Sequence, residues 1–355
     1  MVMRSLLIDG VRVSDDSDCY VIAEVGHNHQ GSTERCRELF RVAKECGVNA
    51  VKLQKRDNRS LYTRAMYDKP YDNENSFGAT YGEHREALEF GRDDYIELQA
   101  YCRELGLTLF ATAFDRPSAD FLADLNMPAY KIASGDLKTL PLLTHVARFG
   151  KPMIVSTGGA TMEDVQRAYD TIMPINPRLC FLQCTAAYPA AAEELNLRVI
   201  SSLRERFPEL VVGLSDHENG IAMTVAAYVL GARVVEKHFT LNHTDKGTDH
   251  AFSLEPIGMR KLVRDLRRTR LALGDGVKRP LPSERLPLLK MGKKLVAARQ
   301  LCAGHVLRTD DVALKSPGGG LSPEHLPEVV GRTVLFPLEP DDEITFEVLG
   351  QGEAG

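Results

Sequence analysis

Eight short apolar runs in this chain each end in side chains able to carry charge, donate a proton or hold an ion. In order, these are Glu24, Lys52 with Gln54, Thr112, Lys131 with Ser134, Ser156-Thr157, Thr185, Ser215-Asp216-His217, and Glu236 with His238. Lys52 and Lys131, joined by Ser134, Ser156 and Ser215, could hold a doubly charged phosphate without a glycine-rich cradle. The plainer alternative is that both lysines pair with Glu24, Glu236 or Asp136. His217 and His238 close the last two runs. On neighbouring strands, about 4.8 Å apart, two inward imidazoles could share a divalent metal, unless both are simply structural. Two protein ligands would leave positions open for water and a substrate oxygen, which suits Lewis-acid activation of a carbonyl.

These residues need a frame that brings them together. The runs begin at Tyr20, Asn49, Leu107, Ala129, Pro152, Leu179, Leu210 and Ala232, and read as strands. Helix-period stretches alternate with them, such as Thr33–Cys46, Asp94–Leu105, Leu140–Phe149, Thr161–Met173 and Gly220–Leu230. Eight successive strand–helix units predict a closed parallel (β/α)₈ barrel, in which chemistry sits at the C-terminal strand ends. An open doubly wound sheet is the second possibility, but neither GxGxxG nor GxxxxGK[ST] is present. Because side chains alternate along a strand, Lys52 and Gln54 share a face, as do Gly213, Ser215 and His217, and Val234, Glu236 and His238. The connection from Gln54 to Asp93, with its polar stretch Asp57–Tyr81, is long enough to act as a lid or substrate wall.

The barrel is expected to occupy residues 1–275, and the proline-rich, charged segment 276–291 to be a linker. Residues 292–355 carry short β-like runs (KLVAAR, DVALK, RTVLFP, EITFEV) between Gly and Pro turns. They read as a small β-rich domain, marginal alone, that docks on the barrel or on a partner subunit.

The 355 residues hold 44 Lys+Arg against 49 Asp+Glu, a formal charge of -5 that lacks the basic footprint of a nucleic-acid binder. No run approaches the roughly 20 apolar residues of a membrane span. Arg4 and Asp9 interrupt the N-terminal apolar run, which therefore does not read as a secretory signal. Seven cysteines without CxxC spacing are expected as free thiols in a reducing cytoplasm. A rival metal site, an amidohydrolase-type pair from His27 and His29, lacks the further histidines it needs on strands five and six, which end in Ser156-Thr157-Gly158 and Thr185. Cys180 and Cys184 have the wrong spacing for zinc, and His243 and His250 flank a polar loop that reads as surface.

The stretches AEVGHNHQGS, AVKLQKR, YGEHREALEF, FATAFD, PAYKIASGD, KPMIVSTGG, FLQCTAAYP, GLSDHENG, VEKHFTL and GTDHAFSLEP resemble the sialic acid synthases. The small C-terminal part is similar to that family's antifreeze-like domain. This resemblance implies condensation of phosphoenolpyruvate with N-acetylmannosamine, or its 6-phosphate, to give N-acetylneuraminate or its 9-phosphate. It implies that His217 and His238 ligate a divalent metal, Mn²⁺ first and Mg²⁺ or Co²⁺ as possibilities. Lys52, Thr112, Lys131, Ser134, Ser156 and Ser215 would then hold phosphoenolpyruvate. Gln54, Tyr188, Glu236 and Asp249 would hold the sugar, and Glu24 would assist proton transfer around the attacking water. It further implies a cytoplasmic, domain-swapped homodimer in which one chain's small domain covers the other's site. YGEHREALEF, LNLRVIS and GTDHAFSLEP are closest to the animal-type branch, which uses the phosphorylated sugar.

Two departures bear on the sugar. Ser316 stands where bacterial members carry an Arg that reaches the acyl group, and Ala186 stands where they often have Asn. Both leave the metal and phosphoenolpyruvate residues in place. Other readings are a synthase for a legionaminic, pseudaminic or deaminated (Kdn-type) relative, a metal-dependent pyruvate aldolase, and a silent carbohydrate-binding scaffold.

Overall fold

A computed structural model describes residues 4–351. The chain divides into two compact units, Met1–Gly274 and Asp275–Gly355. The first opens with an antiparallel hairpin, β1 (Ser5–Ile8) and β2 (Val11–Ser14), that sequence periodicity did not suggest. Its turn is Asp9-Gly10, both at positive φ, the backbone that lets two residues reverse a twisted pair of strands.

Eight parallel strands follow: β3 (Tyr20–Gly26), β4 (Ala50–Lys55), β5 (Thr108–Ala113), β6 (Tyr130–Ile132), β7 (Met153–Ser156), β8 (Leu179–Cys184), β9 (Val211–Asp216) and β10 (Val234–His238). β10 pairs with both β9 and β3, which closes the barrel and excludes the open sheet. Strand alternation produces two interior layers. Tyr20, Ile22, Ala50, Phe110, Ile154, Leu182, Val211 and Val234 form an apolar plug at the N-terminal end, joined by Leu6, Ile8 and Val13 of the hairpin. The next inward positions toward the C-terminal end are the polar ones. Outward-facing residues such as Val21, Val51, Leu109, Val155 and Val235 pack against the surrounding helices in a separate, larger core.

Two glycines fit this geometry. A Cβ at Gly213 would fall 2.1 Å from the Val234 carbonyl oxygen, so β9 and β10 approach closely only because it has none. Gly26, at φ 55°, stands at the register shift where β3 turns away from β4.

The long connection after β4 is built from short helices at Asn58–Leu61, Arg64–Tyr67 and Tyr81–Glu86. The last starts in a capping box. Thr80 accepts from the Glu83 backbone N–H, and the Glu83 carboxylate accepts from that of Thr80, each at 3.2 Å.

In the second unit β11 (Lys294–Ala297) pairs antiparallel with β12 (Val312–Lys315). The runs RTVLFP and EITFEV, expected as strands, make single bridges instead, such as Val334 to Leu349 and Val296 to Glu343. Pro337, which ends RTVLFP, and Pro340, just beyond it, have no backbone N–H to give to a ladder. Leu295, Leu301, Leu307, Val334, Leu338 and Ile344 form its core. The proline-rich segment before it holds a short helix, Arg285–Met291. Among the described residues, no helix is long and apolar enough to cross a membrane.

Candidate active site

The C-terminal ends of the barrel strands surround a cavity of about 650 Å³, lined by every side chain expected to meet donor, metal or sugar, whereas Thr157, Thr185 and Asp216 lie outside it. Its floor is an internally compensated charge cluster. Lys52 Nζ lies 2.6 Å from Glu24 Oε2 and 3.8 Å from Glu236 Oε2, and donates to Thr112 Oγ1 at 2.8 Å. Lys131 Nζ donates to Ser156 Oγ at 2.6 Å and to the Ile132 carbonyl at 2.9 Å, with Glu236 Oε1 at 3.9 Å. Ser215 Oγ donates to the same Glu236 oxygen at 3.1 Å. The lysines therefore do pair with Glu24 and Glu236, and neither pairs with Asp136. That arrangement is compatible with anion binding, because an arriving phosphate can exchange partners with the carboxylates.

Burial sets the acidities. It pushes Glu24 up to about 7, against the opposing pull of Lys52. For Glu236 burial is outweighed by the positive fields of Lys131 and Lys52, which hold the carboxyl below its ordinary range. Burial lowers Lys131.

The rings of His217 and His238 stand 5.4 Å apart across the adjacent strands β9 and β10. His217 Nδ1 is 2.9 Å from the Thr185 carbonyl oxygen. A carbonyl only accepts, so Nδ1 carries the proton and Nε2 keeps its lone pair. Burial lowers the His238 pKa, and its Nδ1 is a buried nitrogen without a hydrogen-bond partner, 3.8 Å from Asp249 Oδ2. One oriented imidazole and one with a buried, unpartnered nitrogen fit a divalent ion. Among the described residues, no group of three or more His, Cys, Asp or Glu is arranged to hold one.

Tyr188 and Asp249, expected on the sugar side, flank this pair. The Tyr188 ring lies 4.2 Å from His217 and 5.5 Å from Phe252. Asp249 Oδ1 accepts from Thr248 Oγ1 at 2.9 Å. Gln54 bridges, donating to Glu24 Oε1 at 2.8 Å and accepting from Arg56 at 2.7 Å.

Other polar strand ends do structural work. Thr157 and Thr185 donate to the Leu182 and Glu194 carbonyls, both at 3.0 Å. Asp216 faces outward to Lys237 at 2.8 Å, away from the cavity. His27 and His29 form no metal pair. His27 lies between two arginines, and His29 stacks on Phe90 at 4.1 Å. All seven cysteines are free, six of them buried.

Sequence reasoning missed Arg56, Arg85, Tyr62 and Tyr81, which also line the cavity. Arg56 continues the inward alternation of Lys52 and Gln54, a signal that stood in the sequence. Arg85, Tyr62 and Tyr81 come from the long connection, whose fold no periodicity reveals.

A closed parallel barrel with its charged groups and two imidazoles gathered at the C-terminal strand ends defines a (β/α)₈-barrel enzyme. The chain belongs to the NeuB family, whose profile matches residues 39–278, and a SAF domain matches residues 294–349. It is 42% identical to the N-acetylneuraminate-9-phosphate synthase of Homo sapiens over 350 residues, 98% of each chain. It is 34% identical to the N,N'-diacetyllegionaminic acid synthase of Legionella pneumophila, covering 96% of this chain and 97% of that one. Among solved structures, the N-acetylneuraminic acid synthetase of Leptospira borgpetersenii, in complex with citrate, superposes with a TM-score of 0.70. That match is at 27% identity, over 81% of this chain and 95% of that one. The spore coat polysaccharide biosynthesis protein SpsE of Bacillus subtilis superposes with a TM-score of 0.67 at 30% identity, over 98% and 100%.

Proposed function

We propose that this protein is a sialic acid synthase, condensing phosphoenolpyruvate with N-acetylmannosamine or its 6-phosphate and water. The observation that carries this is the joint presence in one cavity of the Lys52–Lys131 cluster and the His217–His238 pair. In the reaction, C3 of phosphoenolpyruvate forms a bond to the sugar's aldehyde carbon. Water adds at the cationic C2, and inorganic phosphate leaves with C–O cleavage. Lys52 and Lys131, with the hydroxyls of Thr112, Ser134, Ser156 and Ser215, bind the donor's anionic groups and are released from Glu24 and Glu236 as they do so. The freed carboxylates then face the carbon on which positive charge develops, and Glu24 takes the proton of the attacking water. Gln54, Tyr188, Glu236 and Asp249 orient the sugar. His217 and His238 would hold a divalent ion, Mn²⁺ first with Mg²⁺ or Co²⁺ as substitutes, which polarises the aldehyde when bound.

The 42% relative named for the 9-phosphate favours the phosphorylated sugar over the free one. A legionaminic- or pseudaminic-type product is the second reading, supported by relatives at 34% and 32% identity. We further propose a homodimer in the cytoplasm. The exposed apolar side chains Leu286, Leu288, Leu289 and Met291 support a subunit contact, and the free cysteines support a reducing compartment.

The test is phosphate release from phosphoenolpyruvate with Mn²⁺, comparing N-acetylmannosamine, its 6-phosphate and no sugar. Sugar-dependent release that a chelator abolishes is expected. No release with either sugar would sink the assignment.

A further inference from the structure

Arg56 and Arg85 are two guanidiniums on the cavity wall without an anionic partner. Neither makes an ion pair within 4.0 Å of a carboxylate among the described residues, although Arg56 is only 8% exposed. Both press on one imidazole instead: Arg56 Nη1 lies 3.1 Å from His27 Nε2 and Arg85 Nη1 3.2 Å from His27 Nδ1. Burial and the two arginines keep His27 well below its ordinary pKa, so the ring is neutral and has one accepting nitrogen. One guanidinium N–H therefore faces an N–H. The remaining contacts are uncharged: Arg56 Nη2 donates to Gln54, and Arg85 Nε and Nη2 donate to the Tyr81 hydroxyl at 3.0 and 2.8 Å. A buried and a half-buried positive charge share this neutral histidine, with the Phe114 ring, 3.7 Å from the Arg56 guanidinium, as a further neutral partner, and an arriving anion would offset the cost.

We propose that Arg56 and Arg85 form a second anion subsite, distinct from the lysine cluster, that takes the distal phosphate of a phosphorylated hexosamine. The inference rests on the reaction proposed above. Gln54 sets the spacing, with its Nε2 on Glu24 at the reaction centre and its Oε1 on Arg56. The lysine cluster and the arginine pair are thus one glutamine side chain apart, a separation that an extended sugar chain can span. Planar guanidiniums suit the oxygens of a phosphate bidentately, and the Tyr62 and Tyr81 hydroxyls beside them add neutral donors. A free sugar has no charge with which to complete this subsite.

The test compares kcat/KM for N-acetylmannosamine 6-phosphate and for N-acetylmannosamine in the wild type, Arg56→Gln, Arg85→Gln and Arg85→Lys, at saturating phosphoenolpyruvate. The phosphosugar:sugar ratio is expected to fall about 10- to 100-fold in each Gln variant, with partial recovery in Arg85→Lys. An unchanged ratio, with both sugars losing equally, would overturn the subsite. So would a rise in the KM for phosphoenolpyruvate in place of that for the sugar. Should a variant not fold, calorimetric titration of the wild type with each sugar decides. Tighter binding of the phosphosugar supports the subsite, and equal affinity overturns it. Turnover of both sugars without preference defeats this inference alone, whereas turnover of neither defeats the reaction and the subsite with it.

Discussion

Lys52 Nζ and Glu24 Oε2 lie 2.6 Å apart on adjacent barrel strands, both nearly fully buried. Yet burial still pushes the Glu24 carboxyl up to about 7. The ion pair therefore does not hold Glu24 ionised throughout the neutral range, and its charge depends on ambient pH. If its carboxylate accepts the proton of the attacking water, kcat/KM for phosphoenolpyruvate rises with pH through about 7 as Glu24 ionises. The same group binds its proton more tightly when folded. Its stabilising contribution is fully present below the unfolded carboxyl range of about 4 and is lost as pH rises through 7. Glu24→Gln is expected to lower kcat by about 10²–10⁴ and to remove the acid limb of the rate profile. An acid limb that persists in Glu24→Gln would assign that titration elsewhere.

Lys131 and Ser156 are in direct contact at 2.6 Å, so each substitution would act on the anion position proposed for phosphoenolpyruvate. Lys131→Met should raise the KM for phosphoenolpyruvate by at least about 10-fold, and Ser156→Ala by less, because a charged donor contributes more than a hydroxyl. The double variant should lose less than the product of the two effects, since neighbours in one network are not additive. Steady-state kinetics with phosphoenolpyruvate as the varied substrate measure all three.

His217→Ala and His238→Ala should each abolish tight Mn²⁺ binding and sugar-dependent phosphate release. Metal content after dialysis and calorimetric Mn²⁺ titration read this independently of turnover. Removing metal from the wild type with a chelator should stop release reversibly. Retained stoichiometric metal in both variants would show that the imidazoles are not the ligands.

Lys237 and Asp216 form a second buried pair, at 2.8 Å, and Thr224 Oγ1 donates to the same carboxylate oxygen at 2.6 Å. The pair ties β9 to β10 immediately beside His217 and His238. Lys237→Met leaves a buried carboxylate uncompensated and should cost about 3–5 kcal/mol of unfolding free energy. Urea denaturation of the wild type and variant measures it, and a loss under about 1 kcal/mol would mean that the charge finds another partner.

Much of this protein is legible in one dimension because its barrel strands are regular. Apolar runs that end in polar residues identify eight strands, and two-residue alternation alone puts Lys52 with Gln54 and Glu236 with His238 on a common face. The C-terminal strand ends then mark where the chemistry belongs. Elements without period were not readable in this way. The hairpin closing the barrel's N-terminal end is short, and RTVLFP and EITFEV have strand composition yet make only single bridges.

The sequence by itself determined the barrel and the polar ring of side chains at its mouth. Tertiary structure alone decided their partners. It joined Glu24 to Lys52 and Lys131 to Ser156, turned Asp216 outward to Lys237, and brought Arg56 and Arg85 to opposite nitrogens of His27 from segments 29 residues apart. The reason is physical. Alternation along a strand is a local backbone property, whereas the charge state and partner of a buried group depend on what distant segments place beside it.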